Sequence, residues 1–159
     1  MENIDEIVNI ANKCLNCKHK PCQNACPMKT NIPEFISKVK EKKFGEAYEI
    51  LLSNNIFSNI CSIICPQEQQ CQGSCVRGIK GEPMPIGRLE RFVNDWANEN
   101  NYKIEHTCSK KKNKKVAVIG SRTSWFIMCS RVIKKRLFSY NVWKGWKAWR
   151  NINVWNTRF

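Results

Sequence analysis

The sequence predicts a mainly α fold: a helical domain built around two groups of cysteines, followed by one strand and a tail of unusual composition. Apolar residues recur at helical spacing in four stretches before residue 98. Eight of the ten cysteines fall between Cys14 and Cys75, four in each group. Beyond Glu105 the chain contains no acidic residue at all.

The elements follow in order. Residues 2–13 set Ile4, Ile7, Val8 and Ala11 on one helical face, a short amphipathic helix leading into Cys14. Asn31-Ile32-Pro33-Glu34 is a helix start, with proline in the first turn and an acid beside it, and Phe35, Ile36 and Val39 follow on one face. Gly45 is expected to separate this helix from a second one, whose stripe is Ala47, Tyr48, Leu51 and Leu52 and which Asn54-Asn55 ends. The stretch Cys61 to Cys75 is expected to hold little beyond single helical turns, and Gly78 to Pro85 a loop. Ile86 to Ala97 is the strongest helix, with Leu89, Phe92, Val93 and Trp96 on one face. Val116-Ala-Val-Ile119-Gly120 reads as a buried strand entering a glycine turn. The expected division is a helical domain over 1–98, a basic linker over 99–115, a first strand over 116–121 and an aberrant tail over 122–159.

Charge divides the chain at the same place. The net charge is +14, yet residues 1–109 carry 13 Lys+Arg against 13 Asp+Glu. Residues 110–159 carry 14 Lys+Arg, no acid, and five of the six tryptophans, Trp125, Trp143, Trp146, Trp149 and Trp155. The lysine run from Lys110 to Lys115 has the composition of a solvated linker. The acidic N-terminus does not resemble a secretory signal, and no apolar stretch approaches the roughly 18–20 residues that span a bilayer. The expected compartment is therefore the reducing cytoplasm, where so many cysteines argue for metal over disulfides.

Spacing narrows the metal. The first group reads Cys14-x2-Cys17-x4-Cys22-x3-Cys26-Pro27, the second Cys61-x3-Cys65-Pro66-x4-Cys71-x3-Cys75. Structural zinc sites usually pair two short Cys-x2-Cys units, and only Cys14/Cys17 is one. A Cys-x2-Cys run closed by Cys-x3-Cys-Pro is a bacterial ferredoxin pattern, although the gap from Cys17 to Cys22 is four residues here instead of two. Iron–sulfur is the favoured reading, zinc the second and disulfides the third. By count alone, two four-iron clusters would use all eight cysteines, which leaves His19 no vacancy. Lys18, Lys20, Arg77, Arg88 and Arg91 lie near these cysteines in sequence, and an ordinary surface charge is the commoner role for each.

With Ile32-Pro-Glu-Phe-Ile36, Val76-Arg77-Gly78 and Ile86-Gly-Arg-Leu-Glu-Arg-Phe92, these motifs strongly resemble the N-terminal iron–sulfur domain of the glutamate synthase small subunit. The same domain occurs in NADPH-dependent ferredoxin oxidoreductases and in dihydropyrimidine dehydrogenase, and the resemblance covers about residues 10–121. It implies an all-helical, α-helical ferredoxin-like domain with two 4Fe-4S clusters that passes electrons between FAD and a partner. The implied partner is a flavin domain, the large subunit of a glutamate-synthase-like complex, or a ferredoxin-type protein; no membrane or nucleic-acid partner is expected. Carried over by position, Cys14, Cys17, Cys22 and Cys75 hold one cluster, while Cys26, Cys65, Cys71 and Glu90 hold the other. Cys61 is then a buried bystander, and an all-thiolate second cluster through Cys61 is the alternative.

The family continues with an FAD domain and then an NADPH site, opened by a glycine-rich turn. Gly120 is the remnant of that turn, for Arg122 and Trp125 stand where its later glycines belong. On this reading the chain is a fragment of an oxidoreductase that lacks its FAD and NADPH sites. Tryptophan has the single codon TGG, and reading one nucleotide later gives GGN, always glycine. A one-nucleotide shift near codon 122 thus accounts for both the tryptophans and the missing acids, and with suitable codons restores G-S-G-P-A-G. A basic, aromatic tail that binds nucleic acid, attached to a zinc-stabilised binding module, is the competing reading. Resequencing the coding DNA is expected to show the glycine turn and its continuation in the shifted frame; a shifted frame that encodes neither contradicts the frameshift.

Overall fold

A computed structural model describes residues 2–104 and the backbone of two strands at 115–119 and 138–142. The chain divides into two compact units, residues 1–104 and 105–159. The described part of the first unit is helical throughout, as its spacing predicts.

Helix α1 (Ile4–Asn12) starts where Asn3 accepts a hydrogen bond from the Asp5 N–H at 3.0 Å, with Asp5 and Glu6 favourably placed in the first turn. It buries Ile7 and Ala11 and delivers the chain to Cys14. Helix α2 (Pro21–Ala25) is five residues long, too short for a periodic signal, and is entered through Lys20 in the left-handed region at φ 44°. Helix α3 (Ile32–Lys40) has Pro33 and Glu34 in its first turn and buries Ile32, Phe35, Ile36 and Val39.

Helix α4 (Phe44–Asn54) corrects one expectation. Gly45 is its second residue and not a break. The chain turns just before it, where Lys42 takes φ 58°. Gly45 is required for a different reason: a Cβ there would lie 2.7 Å from the Tyr102 ring. Helix α5 (Ser58–Ile64) enters the second cysteine stretch for one turn, Cys61 to Ile64, and short 3-10 turns follow at Gln67–Gln69 and Val76–Ile79, in keeping with the single turns expected. Helix α6 (Ile86–Glu99) is the longest and packs on both α4 and α5. Beyond it Tyr102 returns to the helices, edge-on to Tyr48 and tilted against Trp96.

The core lies between α1, α3, α4 and α6, where Ile7, Phe35, Ile36, Leu51, Leu89 and Val93 are almost wholly buried. Each such side chain is worth about 1.5–3 kcal/mol in transfer free energy. Phe44 closes one end, edge-on to Phe92 at 5.3 Å and tilted against Trp96 at 5.5 Å. Arg88 pairs with Glu2 at 2.9 Å and Glu6 at 2.6 Å, joining α6 to the start of α1, but these exposed pairs stabilise little. Among the described residues, no helix is long and apolar enough to cross a membrane.

In the second unit, β1 (Lys115–Ile119) pairs in parallel with β2 (Phe138–Val142), Ala117 opposite Tyr140. The sequence reading gives β1 and assigns no element to the aberrant tail after it. Phe138, Tyr140 and Val142 alternate with Ser139 and Asn141, a strand pattern that the tail's overall composition hides. Gly120, residues 105–114, the rest of the tail and its tryptophans lie outside the described residues.

Replacing Phe44 with Ala removes the ring that seals α4 against α6. The expected loss is about 3–5 kcal/mol of unfolding free energy, read by denaturant titration; a loss below about 1 kcal/mol contradicts this packing account.

Candidate metal centre

Two short motifs far apart in sequence fold into one region, and each contributes to two separate groups of donors. Cys14 follows α1, Cys22 is the second residue of α2, and Cys75 precedes the 3-10 turn at Val76. These three and Cys17 line one pocket, walled by Ile32, Ile36, Met84 and Ile86. The tight path between them uses left-handed backbone at Asn16 (φ 48°) and Lys20 (φ 44°), a conformation uncommon for residues other than glycine. Lys40 Nζ donates to the Cys14 carbonyl at 2.8 Å, and Arg77 Nη1 to the Lys13 carbonyl at 2.8 Å, so two cations hold the end of α1 in place. Burial pushes the Cys22 thiol up to about 11, and the neighbouring Cys14 and Cys75 sulfurs push the same way. The Met84 N–H donates to Cys75 Sγ at 3.5 Å, the kind of contact that tunes a sulfur ligand.

The second group gathers Cys26 at the end of α2, Cys65 at the end of α5, Cys71 and Glu90 of α6. Cys71 is the buried one of the eight cysteines in residues 14–75; the other seven are half-buried. Burial pushes the Cys71 thiol up to about 12, and Cys26, Glu90 and Cys65 add repulsion. The Cys65 thiol is raised by burial first and then by Cys61, Cys26 and Glu90. Glu90 is 9 % exposed; burial raises its pKa against the opposing pull of a hydrogen bond from Ser58 Oγ to Oε1 at 2.7 Å. Among the described residues no Lys or Arg pairs with it. The Cys26 thiol faces Thr30 Oγ1 at 3.7 Å and the Cys65 thiol faces Gln70 Oε1 at 3.2 Å.

The grouping therefore crosses the sequence motifs. Cys75 lies with the N-terminal thiols, and Cys26 lies with those of the second motif. Cys61 is half-buried, not buried as expected; it lies in the middle of α5, one turn before Cys65. Cys61 and Glu90 both raise the Cys65 thiol, and Glu90 raises Cys71 as well. His19 is exposed, Arg88 pairs with Glu2 and Glu6, and Arg91 with Asp95. Of the five basic residues near the cysteines in sequence, Arg77 is the one that lines the first pocket.

Among the described residues, no three His, Cys, Asp or Glu side chains converge tightly enough to hold a single metal ion. In the first group the thiols instead line a shared space. That arrangement suits a polynuclear cluster, in which each ligand binds its own iron. The donor chemistry also fits: a thiol gives up its proton when it binds a metal, so the cysteines and the Glu90 carboxyl can all become anionic ligands for iron.

A family described as dihydropyrimidine dehydrogenase domain II, 4Fe-4S cluster, matches residues 2–102. The chain belongs to this iron–sulfur family. It is 37 % identical over 111 residues to the NAD-dependent dihydropyrimidine dehydrogenase subunit PreT of Escherichia coli, a match covering 70 % of this chain and 27 % of that protein. It is 33 % identical over 111 residues to the glutamate synthase (NADPH) small chain of E. coli, covering 70 % and 24 %. The putative oxidoreductase AegA of E. coli is 30 % identical over 118 residues, covering 74 % and 18 %. The matched region thus spans about a quarter or less of each of these relatives. Membership in an iron–sulfur domain of oxidoreductases implies electron transfer as the role of the helical unit.

Sequence reasoning missed Ser58 and Asn94, both wholly or almost wholly buried beside Glu90. A signal existed for Asn94, which lies four residues after Glu90 and so on the same helical face.

Proposed function

We propose that the helical unit holds two 4Fe-4S clusters and relays electrons, one at a time, between a flavin and a partner protein. The observation that supports this best is the sorting of seven cysteines and Glu90 into two groups of four. Cys14, Cys17, Cys22 and Cys75 would hold the first cluster, and Cys26, Cys65, Cys71 and Glu90 the second. When bound, such a cluster accepts and gives up one electron with little rearrangement of its ligands. The protein's own contribution is to fix the thiols on short helices, to exclude water with the apolar wall around the first group, and to set the field at each sulfur.

Glu90 is the better eighth ligand on physical grounds. A buried carboxylate without a cationic partner is costly, and an iron ion supplies the missing positive charge. Cys61 is half-buried, so burial bears on it less.

The partner on one side would be an FAD-bearing domain, with NAD(P)H as the source of electrons; the relatives' names carry NAD in one case and NADPH in the other. On the other side it would be the large subunit of a glutamate-synthase-like complex or a ferredoxin-type protein. The residues after Gly120 do not spell a dinucleotide turn, so the chain as given would not oxidise NADPH by itself. A cytoplasmic setting suits free thiols.

The test is anaerobic reconstitution of the full chain with iron and sulfide. The expected product is brown, carries about eight irons per chain and has a broad absorption bleached by dithionite; a colourless, zinc-loaded protein overturns the proposal. Glu90→Ala should alter one cluster signal and spare the other. Cys61→Ala should spare both, and the reverse pattern would make Cys61 the eighth ligand.

A further inference from the structure

Helix α6 buries two polar side chains one turn apart, Glu90 and Asn94, and α5 presents Ser58 to both. Ser58 is 0 % and Asn94 2 % exposed, so neither exchanges its partner for bulk water. Their hydrogen bonds run in one direction. Asn94 Nδ2 donates to the Glu90 backbone carbonyl at 2.8 Å and to Ser58 Oγ at 3.0 Å. With a lone pair thus occupied, Ser58 Oγ turns its single proton to Glu90 Oε1 at 2.7 Å. Among the described residues this is the one hydrogen bond that the Glu90 carboxylate receives.

A carboxylate held this way is asymmetric. One oxygen is tied to α5, and the charge of the group still acts on Cys65 and Cys71. We propose that Ser58 and Asn94 are positioning residues that make Glu90 a one-oxygen ligand, with Oε1 held by Ser58 and Oε2 left for iron. The proposal rests on the reading of Glu90 as the eighth ligand. Asn94 sets the hydroxyl, the hydroxyl sets the carboxylate, and the carboxylate meets the metal. Without the hydroxyl, the carboxylate rotates about its last side-chain bond and its two oxygens become interchangeable. A network that merely satisfied its own polar groups would affect folding but would not act on one cluster through Glu90.

The experiment uses the full chain, reconstituted anaerobically, with three readouts: paramagnetic resonance of the reduced clusters, iron release to a chelator, and the helical circular dichroism. Ser58→Ala is expected to shift the g-values of one signal, the same one that Glu90→Ala alters. That cluster should lose iron about 10–100-fold faster, the usual scale for loss of a hydrogen bond behind a metal ligand. The other signal and the helical spectrum should not change. Ser58→Ala should add nothing in a Glu90→Ala background, and Ser58→Thr should restore the parent signal. Asn94→Leu, similar in volume and without the amide, should give the same one-cluster pattern should the serine variant fail to fold. Folded Ser58→Ala or Asn94→Leu chains with both signals unchanged, while Glu90→Ala alters one, overturn the positioning role. Should Glu90→Ala itself leave both signals unchanged, the ligand reading fails and the positioning role falls with it.

Discussion

Cys26 and Cys75 each belong to one cysteine motif in the sequence and to the other motif's group in the fold. Everything else in the helical unit makes that exchange possible. For Cys75 to reach Cys14 and Cys22, the chain must return past the end of α1, and Arg77 fastens it there through the Lys13 carbonyl. For Cys26 to reach Cys65 and Cys71, the chain must turn at the end of α2, a five-residue helix with a left-handed entry at Lys20. Each group draws its donors from segments far apart in sequence. On the proposed reading, cluster binding and folding are therefore one event, as in other small proteins whose metal sites join distant segments.

The two groups differ in ways that matter for a relay. The first offers four thiols, a backbone N–H on Cys75 Sγ, and two cations, Lys40 and Arg77, bound to carbonyls beside it. The second offers three thiols and a buried carboxyl, with no Lys or Arg paired to that carboxyl among the described residues. Charge, hydrogen bonding and solvent exposure are the terms that set cluster potentials. On the proposed reading, two sites so unlike within one small unit give electrons a reason to favour one over the other.

Much of this was legible in the sequence. The apolar stripes of α1, α3, α4 and α6 carry helical periodicity strong enough to read, because each helix buries one face in a common core. The cysteine spacing announced a metal, but the crossing came from a family resemblance, since spacing cannot say which distant segment completes a site. The remainder was hidden for physical reasons. Helix α2 is shorter than two turns, and Gly45 reads as a break although it serves to admit the Tyr102 ring. Ser58 and Asn94 are residues ordinarily read as surface, and only contact across α5 and α6 reveals them as interior. Strand β2 was obscured by a tail whose charge and tryptophan content drew attention away from its alternation.

The crossing is the claim on which the rest depends, and single cysteine replacements read by cluster spectroscopy test it most directly. In the reconstituted chain, Cys75→Ser should disturb the same signal as Cys17→Ser, and Cys26→Ser the same signal as Cys71→Ser. Pairing that follows the sequence motifs, with Cys75 acting on the Cys71 signal and Cys26 on the Cys17 signal, would contradict the account.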